Sequence, residues 1–586
     1  MTTRASLDLP QRVSLRTIGL VVLAIAMSSL VAVKLRHHFF RRHAARMKAA
    51  MLHGRDRAPS DLIIGYNMDF PGDWSDALPF VDLMHNALPW EGTDAGDPLA
   101  GLDLDAHGWP RSLGPYHTVK TIFHRGDSPG YVDKIWVVSY RGEGDLGVHG
   151  AVQVDRAPGK IRFRGTPDEA WISILSTDPR HTGNYLRDIT IVREDWQRLA
   201  AAGQIFNPDL LAFLAPYKSL RFMDWMHSNE KDQERAGRWS ERATMAQPHW
   251  LPQFIDPQHP ARGLTSGGYP IEVMIALANT LHAHPHFNLP YRYDDDYARQ
   301  FATLVRQTLS PGLVATVEYS NEVWNSMFAQ ARQAQLEAQK LWPGEQSGWL
   351  QYMGMRAANM CRIWKQVFAA EPRRMRCVIA PQTGWPEIAP ASLDCPRWVA
   401  MGHEPCYKSA DAIAITGYFN GLLPRDENVP LIVDWLKRGE SYAMSQAFQQ
   451  LEHGGVPGIR AGDHAATVDD AGSLDNAIEL FQLFREMADQ RGLGLYAYEG
   501  GTHFDAGPDK TLHRFLVDLT RDPRMTAAYV RLFEAFARVG GSVFNVWGGV
   551  GRDSAWANAS GLSDLDHPKY RGVLGFESNQ RKRSYP

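Results

Sequence analysis

The sequence predicts an α/β protein: a (β/α)8 TIM barrel with an accessory all-β, sandwich-like domain and an N-terminal membrane-anchor helix. Three observations lead to this prediction. From Trp196 onward, short apolar strand-like runs alternate with helical stretches, which is typical of βα units around a parallel sheet. Before Trp196, short β-rich runs follow one another with Gly, Pro and Asp turns between them. Near the first residue lies an uncharged apolar run with basic residues on both sides.

The bulk composition is that of a large globular protein. The chain has 586 residues, of which 44% are hydrophobic and 22% are charged, so it can bury a sizeable core in more than one domain. Its formal net charge of -3 gives no electrostatic footprint for a nucleic-acid partner. The sequence therefore predicts a multidomain protein that does not bind nucleic acid.

Residues 1–58 are predicted to be a membrane anchor followed by a basic linker. Residues 18–33 carry no charge and are flanked by Arg12 and Arg16 on one side and by Lys34 and Arg36 on the other. The run is at the short end of what spans a bilayer. An amphipathic basic segment that lies on a membrane surface is the alternative.

Residues 59–110 are predicted to hold the first barrel strand, 61–66, and a connecting segment. Residues 111–196 are predicted to form the accessory domain, because several short strands at regular spacing are typical of a β-sandwich. The β-rich runs of this region are 119–124, 134–140, 151–155, 160–164, 171–176 and 188–192.

Residues 197–586 are predicted to form the (β/α)8 barrel. Its seven further strands are predicted at 220–226, 286–289, 314–320, 376–382, 412–418, 494–500 and 542–547. Helical stretches are predicted at 271–282, 294–309, 350–369, 473–490 and 510–539. Eight βα units close naturally into a TIM barrel. A doubly wound open sheet is the structural alternative.

The four cysteines lie in one region, at Cys361, Cys377, Cys395 and Cys406. Since they form no Cys-x-x-Cys pair, we predict no metal site there. Two local disulfides, which would indicate an oxidising compartment, and four free thiols remain the two interpretations.

Two glutamates follow apolar strands. Glu322 comes directly after the fourth strand, and Glu499 ends the seventh. In a TIM barrel the ends of these strands face one mouth, so the two side chains are expected to share one site. Alone, either is best interpreted as an ion-pair residue; together they predict a pair of catalytic carboxylates. A second Ser-Asn-Glu, at residues 228–230, lies in a charged run and is interpreted as a solvated loop.

The Asn321-Glu322 pair after strand four and Glu499 at the end of strand seven resemble the glycoside hydrolases of clan A. The resemblance implies that Glu322 is the acid/base and Glu499 the nucleophile of a reaction that retains anomeric configuration. It also implies contacts to the nucleophile or to substrate from residues on strands two, six and eight. On strands two, six and eight these residues are Arg221, Tyr418 and Trp547. Two more are chosen from their position near strand ends, Asp224 and Asn321. The five predicted substrate-binding residues are thus Arg221, Asp224, Asn321, Tyr418 and Trp547.

We therefore expect a retaining glycoside hydrolase that cleaves a polysaccharide or oligosaccharide without a cofactor, related to the cell surface or to exopolysaccharide. A non-catalytic polysaccharide-binding or export scaffold and a transglycosylase are the alternatives. The expected location is membrane-anchored, with the catalytic domain in the periplasm or outside the cell. Six Lys and Arg at residues 34–48, against three before the apolar run, favour the opposite orientation.

Overall fold

The computed structural model describes residues 60–70, 72–93, 102–229, 237–250, 268–460 and 472–584. The predicted anchor at residues 18–33 lies outside the described residues, and so does Glu230 of the second Ser-Asn-Glu. Within the described ranges, no helix is long and apolar enough to cross a membrane.

In chain order the strands are β1 (Ile63–Asn67), β2 (Glu91–Gly92), β3 (Asp103–Leu104), β4 (Pro110–Ser112), β5 (Val119–His124), β6 (Ile135–Arg141), β7 (Gly144–His149), β8 (Ala151–Ala157), β9 (Lys160–Gly165), β10 (Ala170–Thr177), β11 (Arg187–Arg193), β12 (Ser219–Arg221), β13 (His284–Leu289), β14 (Ala315–Tyr319), β15 (Met375–Ile379), β16 (Ala412–Phe419), β17 (Gly494–Thr502) and β18 (Val543–Val546).

The α-helices are α1 (Gln197–Ala201), α2 (Pro208–Leu214), α3 (Ile271–Leu281), α4 (Asp295–Thr308), α5 (Ala329–Leu341), α6 (Gly348–Val367), α7 (Ala389–Asp394), α8 (Pro396–Ala400), α9 (Val429–Lys437), α10 (Glu440–His453), α11 (Leu474–Asp489), α12 (Lys510–Arg521), α13 (Arg524–Arg538) and α14 (Pro568–Ser584).

Eight parallel strands close into a barrel in the order β1-β12-β13-β14-β15-β16-β17-β18. Closure is complete because β18 pairs with β1, with Ile63 opposite Val543. This excludes the open-sheet alternative and confirms the predicted barrel. All five residues of β14 and all eight of β16 are buried. Such strands are covered on both faces, which explains why they appear in the sequence as mostly apolar runs.

The helices around the barrel follow from amphipathic patterning and local caps. In α4 the side chain of Asp294 accepts a hydrogen bond from the Tyr297 amide at 2.7 Å, which satisfies one free donor of the first turn. The predicted single helix at 510–539 is wrong, since α12 ends at Arg521 and α13 begins at Arg524. Pro523 separates them because it cannot continue a helix from the preceding turn.

The accessory region is a β-sandwich inserted between β1 and β12. Two antiparallel sheets, ordered β2-β5-β10-β7 and β11-β6-β9-β8, enclose a hydrophobic core separate from that of the barrel. Phe123 of one sheet meets Phe163 of the other with ring centroids 5.9 Å apart. The sandwich-like fold is thus confirmed. Strand β7 was not predicted, because its sequence Gly-Asp-Leu-Gly-Val-His has few β-formers.

All four cysteines are paired. Cys361 of α6 is bonded to Cys377 of β15, and Cys395 to Cys406. Of the two interpretations of the sequence, the structure has the disulfides. The first bond ties a helix to the barrel strand that it covers.

Candidate active site

A cavity of about 480 Å³ opens at the carboxyl ends of the barrel strands. This is the volume of an ordinary small-molecule site. Six of the seven predicted site residues line it: Asp224, Asn321, Glu322, Tyr418, Glu499 and Trp547. Closing the barrel therefore brings together side chains from segments hundreds of residues apart.

Glu499 lies at the bottom of this cavity and is almost fully buried, with 5% exposure. Its Oε2 accepts a hydrogen bond from Arg221 at 3.0 Å, and its carboxyl group also makes side-chain hydrogen bonds with Glu322 and Tyr418. Burial raises the pKa of Glu499, and the Arg221 charge acts against this rise. The two glutamate carboxyl groups are thus within hydrogen-bonding reach of each other.

Glu322 is held by two further donors, one for each oxygen. Tyr498 Oη donates to Oε1 at 3.1 Å and Asn325 Nδ2 donates to Oε2 at 3.0 Å. The backbone turns sharply here, since Ser320 and Glu322 have φ of 55° and 41°. Left-handed φ at such residues is sparsely populated and persists where the surroundings enforce it. Asn288 Nδ2 does so by donating to the Ser320 carbonyl at 2.7 Å.

Arg221, the seventh predicted residue, lies beneath the cavity and does not line it. It is fully buried. Its guanidinium donates to both carboxylate oxygens of Glu318 at 3.1 Å, and to Asn67 at 3.0 Å and Asn321 at 2.8 Å, besides Glu499. Its contact to Glu499 matches the position near the nucleophile that the resemblance implies and indicates a positioning role, while binding of substrate by Arg221 stays a prediction.

Glu318 was not singled out from the sequence. Besides Arg221, it contacts His286, whose Nε2 donates to Glu318 Oε2 at 2.9 Å. Burial favours a higher pKa for Glu318, but the Arg221 charge and the His286 hydrogen bond outweigh it and lower the pKa. Burial lowers the pKa of His286. A charged residue inside the apolar strand β14 is the one sequence signal that points to this cluster.

The side chain of Asn321 is already engaged at both ends. Its Oδ1 accepts from Arg221, and its Nδ2 donates to Asn229 Oδ1 at 3.0 Å. A hydrogen bond from Asn321 to a ligand would use the second amide hydrogen. Asp224 is partly buried where it lines the cavity.

Aromatic rings form one side of the cavity. Tyr418 meets His503 edge-on at 5.1 Å, and His503 meets Trp556 edge-on at 4.4 Å. Trp547 is tied to the strand that carries Glu499, because its amide donates to the Gly500 carbonyl at 2.8 Å. The wall thus presents flat apolar faces beside two carboxyl groups.

Asp69 is a further carboxylate of the cavity that was not predicted. It accepts hydrogen bonds from the Val550 amide at 3.0 Å and from Tyr66 Oη at 3.2 Å. Burial raises its pKa to about 7. A side chain at position 549 would collide with Asp69, since a Cβ there would lie 2.5 Å from Asp69 Oδ2. Glycine at 549 is therefore what lets the carboxylate reach the cavity.

In the part of the chain that the structure describes, no group of three or more His, Cys, Asp or Glu side chains could hold a metal ion.

No family model matches this chain, and no curated protein does. Among solved structures, a glucosidase from Croceicoccus marinus matches with 12% identity over 64% of this chain and 64% of its own, at a TM-score of 0.32. A GH5-4 broad specificity endoglucanase from Bacteroides salanitronis matches with 16% identity over 52% and 85%, at 0.27. Fungal beta-1,4-galactanase matches with 11% identity over 59% and 82%, at 0.26. With TM-scores of this size, any assignment of activity has to rest on the site itself.

Proposed function

We propose that this chain is a retaining glycoside hydrolase that cleaves a polysaccharide or oligosaccharide by double displacement. One observation carries the proposal: the side chains of Glu322 and Glu499 line a single cavity at the barrel mouth, and Tyr498, which directly precedes Glu499, donates to Glu322 Oε1 at 3.1 Å. Two carboxyl groups this close do not both ionise readily, so they favour a state in which one holds a proton. Glycoside hydrolysis requires one protonated carboxylic acid and one ionised carboxylate beside the same glycosidic bond.

The contacts of each glutamate support the division of roles. Glu499 faces the Arg221 guanidinium at 3.0 Å, which favours its ionised, nucleophilic form. Glu322 is oriented by the two donors Tyr498 and Asn325 and lies on the more open side of the pair. It is therefore placed to exchange a proton with substrate and with water.

The reaction then has two steps. Glu322 gives its proton to the glycosidic oxygen while a Glu499 oxygen bonds to the anomeric carbon, and the bond to the leaving sugar breaks. In the second step Glu322 takes a proton from water, the water oxygen bonds to the anomeric carbon, and the ester to Glu499 breaks. Glu322, Glu499 and water thus supply the proton donor, the proton acceptor and the nucleophiles of both steps, and the substrate supplies the sugar and the leaving group.

The proximity of the carboxyl groups supports retention over inversion. An inverting enzyme needs about 6.5–9.5 Å between them to admit a water, whereas a retaining one needs about 5–5.5 Å. Glu322 is close enough to Glu499 to lower its pKa through a side-chain hydrogen bond, which favours the shorter separation.

The test uses the full chain and a panel of polysaccharides: glucans, xylan, mannan, galactan and chitin. Wild type is expected to release reducing sugar from at least one, and Glu499→Gln to lose more than about a thousand-fold in kcat, the scale of removing a nucleophile. Glu272→Gln is the matched control, because Glu272 pairs with Arg242 at 2.8 Å and does not line the cavity. Unchanged hydrolysis by Glu499→Gln would remove the assignment.

The same assay also reports the anomeric configuration of the product and whether water or a second sugar accepts the glycosyl group. Proton NMR of the first product should show the anomeric configuration of the substrate, and an inverted product would contradict double displacement. A transglycosylase would use the same residues, and added oligosaccharide acceptor would then yield lengthened products in place of free sugar.

We further propose that the catalytic domain works outside the cytoplasm, anchored by its N-terminal segment. The two disulfides support this, because such bonds persist in oxidising compartments. Non-reducing peptide mapping of protein from its own membranes should recover peptides linked through Cys361–Cys377 and Cys395–Cys406. Recovery of four free thiols would contradict the location.

A further inference from the structure

Trp74 is the most exposed tryptophan of the described residues. Its side chain is 53% exposed, although tryptophan is on average highly buried. It does not line the cavity. Its ring stacks on that of Phe70, which does line the cavity, with centroids 5.9 Å apart and planes 13° from parallel. An exposed indole therefore lies directly beside the rim of the site.

This indole is partly covered by its own chain segment and is otherwise open to solvent. The backbone of Gly72 lies against the ring so closely that a Cβ on Gly72 would come within 2.5 Å of Trp74 Cε2. Phe70 and Gly72 together account for part of the covered surface, and about half of Trp74 remains exposed, at 53%.

The segment that carries Trp74 is held firmly by the accessory sandwich. Asp73 is fully buried and pairs with Arg125, which directly follows β5, at 3.0 Å. The Arg125 amide also donates to the Asp73 carbonyl at 2.8 Å. Asn86 Nδ2 donates to the Gly72 carbonyl at 3.1 Å. The open indole face is thus presented by a fixed support, so little conformational freedom is lost when a ligand covers it.

We propose that Trp74 is a stacking platform for a sugar ring outside the catalytic cavity, so that the site binds a chain of several sugar units rather than a single residue. The inference deepens the proposed function and rests on it. A pyranose presents an apolar face of C–H groups, and a rigid aromatic face beside the cavity matches that chemistry. The sandwich, in this arrangement, positions part of the substrate site.

The experiment measures binding with Glu499→Gln as the parent protein, so that no turnover interferes. The probes are the disaccharide and the hexasaccharide prepared from the polysaccharide that wild type cleaves in the panel. Calorimetry with Trp74→Ala in this parent should show the hexasaccharide bound about ten-fold more weakly, equal to about 1.4 kcal/mol. The disaccharide, which fills the cavity alone, should bind with less than about a two-fold change.

Two further variants separate stacking from general damage. Trp74→Phe retains a flat ring and should recover most of the hexasaccharide affinity. Trp171→Ala is the matched control, since Trp171 also stacks on a neighbouring ring, His149 at 3.7 Å, but belongs to the sandwich and does not line the cavity. It should bind both probes as the parent does.

The outcomes are distinguishable. If wild type cleaves no member of the panel and Glu499→Gln binds none, the proposed function fails and this inference fails with it. If cleavage stands but Trp74→Ala binds the hexasaccharide with parental affinity, or loses equal affinity for both probes, the platform alone is overturned.

Discussion

The substitution Tyr418→Phe removes a single oxygen atom and tests how the surroundings of Glu499 and Glu322 control their ionisation. Tyr418 is buried, with 8% exposure, and its hydroxyl makes a side-chain hydrogen bond with Glu499. The substitution removes that hydroxyl and keeps the ring that packs against His503 at 5.1 Å. The fold of the cavity should therefore survive, while the ionised form of Glu499 loses one donor.

The size of the effect follows from the value of that hydrogen bond. A hydrogen bond to a charged group contributes about 1.5–3 kcal/mol, and 1.36 kcal/mol corresponds to one pKa unit. Burial already raises the pKa of Glu499, and the Tyr418 hydroxyl acts against burial because it binds the ionised form. Its loss should raise the pKa of Glu499 further, and a lost contribution of this size corresponds to a fall in kcat/KM of about ten-fold or more at pH values on the acidic limb.

The assay is the pH dependence of kcat/KM from about pH 4 to 9. A nucleophile must be ionised, so the acidic limb should move to higher pH in Tyr418→Phe, and the activity lost at low pH should return as pH rises. Because Glu499 and Glu322 share a hydrogen bond, the limb reports the pair and not one residue.

Tyr293→Phe is the matched control. It also deletes one buried phenol hydroxyl, but that hydroxyl donates to the Arg356 carbonyl at 2.8 Å and has no contact with the pair. Its profile should match wild type. An acidic limb that stays in place in Tyr418→Phe, or that moves to lower pH, would show that the Tyr418 hydroxyl does not stabilise the ionised form of Glu499.

Two further predictions concern stability. Glu318→Gln should lower the free energy of unfolding at pH 7 by about 3–5 kcal/mol, because it leaves the buried Arg221 without its bidentate partner. The pKa of Glu318 is lowered in the folded protein, so the stability advantage of wild type is present above the ordinary value of 4.5 and should shrink as pH falls through the lowered pKa. Urea titrations that give the same difference in unfolding free energy at pH 7 and at a pH below 4.5 would contradict this. Replacing Cys361 and Cys377 together by Ala should cost about 3 kcal/mol, as expected for a bond that spans 16 residues. Reductant should then destabilise wild type more than this variant, and equal losses would show that the bond contributes nothing.

The barrel strands could be predicted because a strand that is buried on both faces consists mainly of apolar residues. Each of the eight predicted strands overlaps an observed one, since continuous apolar runs are needed where helices cover one face and the barrel core the other. The sandwich was predicted nearly as well, except for β2 and β7. The first has only two residues, and the glycine-containing sequence of the second leaves no periodicity to detect.

The positions of the two glutamates could be predicted from the sequence alone, because each comes at the end of an apolar strand and a barrel gathers such ends at one mouth. The residues that surround them depend on how distant segments fold together. Arg221 and Glu318 are 97 residues apart, and Arg221 and Glu499 are 278 apart. Whether a polar side chain on a buried strand points to the barrel axis or to a helix depends on closure and register, which one linear sequence does not encode locally. The Arg221 guanidinium lies between the carboxylates of Glu318 and Glu499 only once β12, β14 and β17 have come together. The argument for Glu499 as nucleophile depends on that contact.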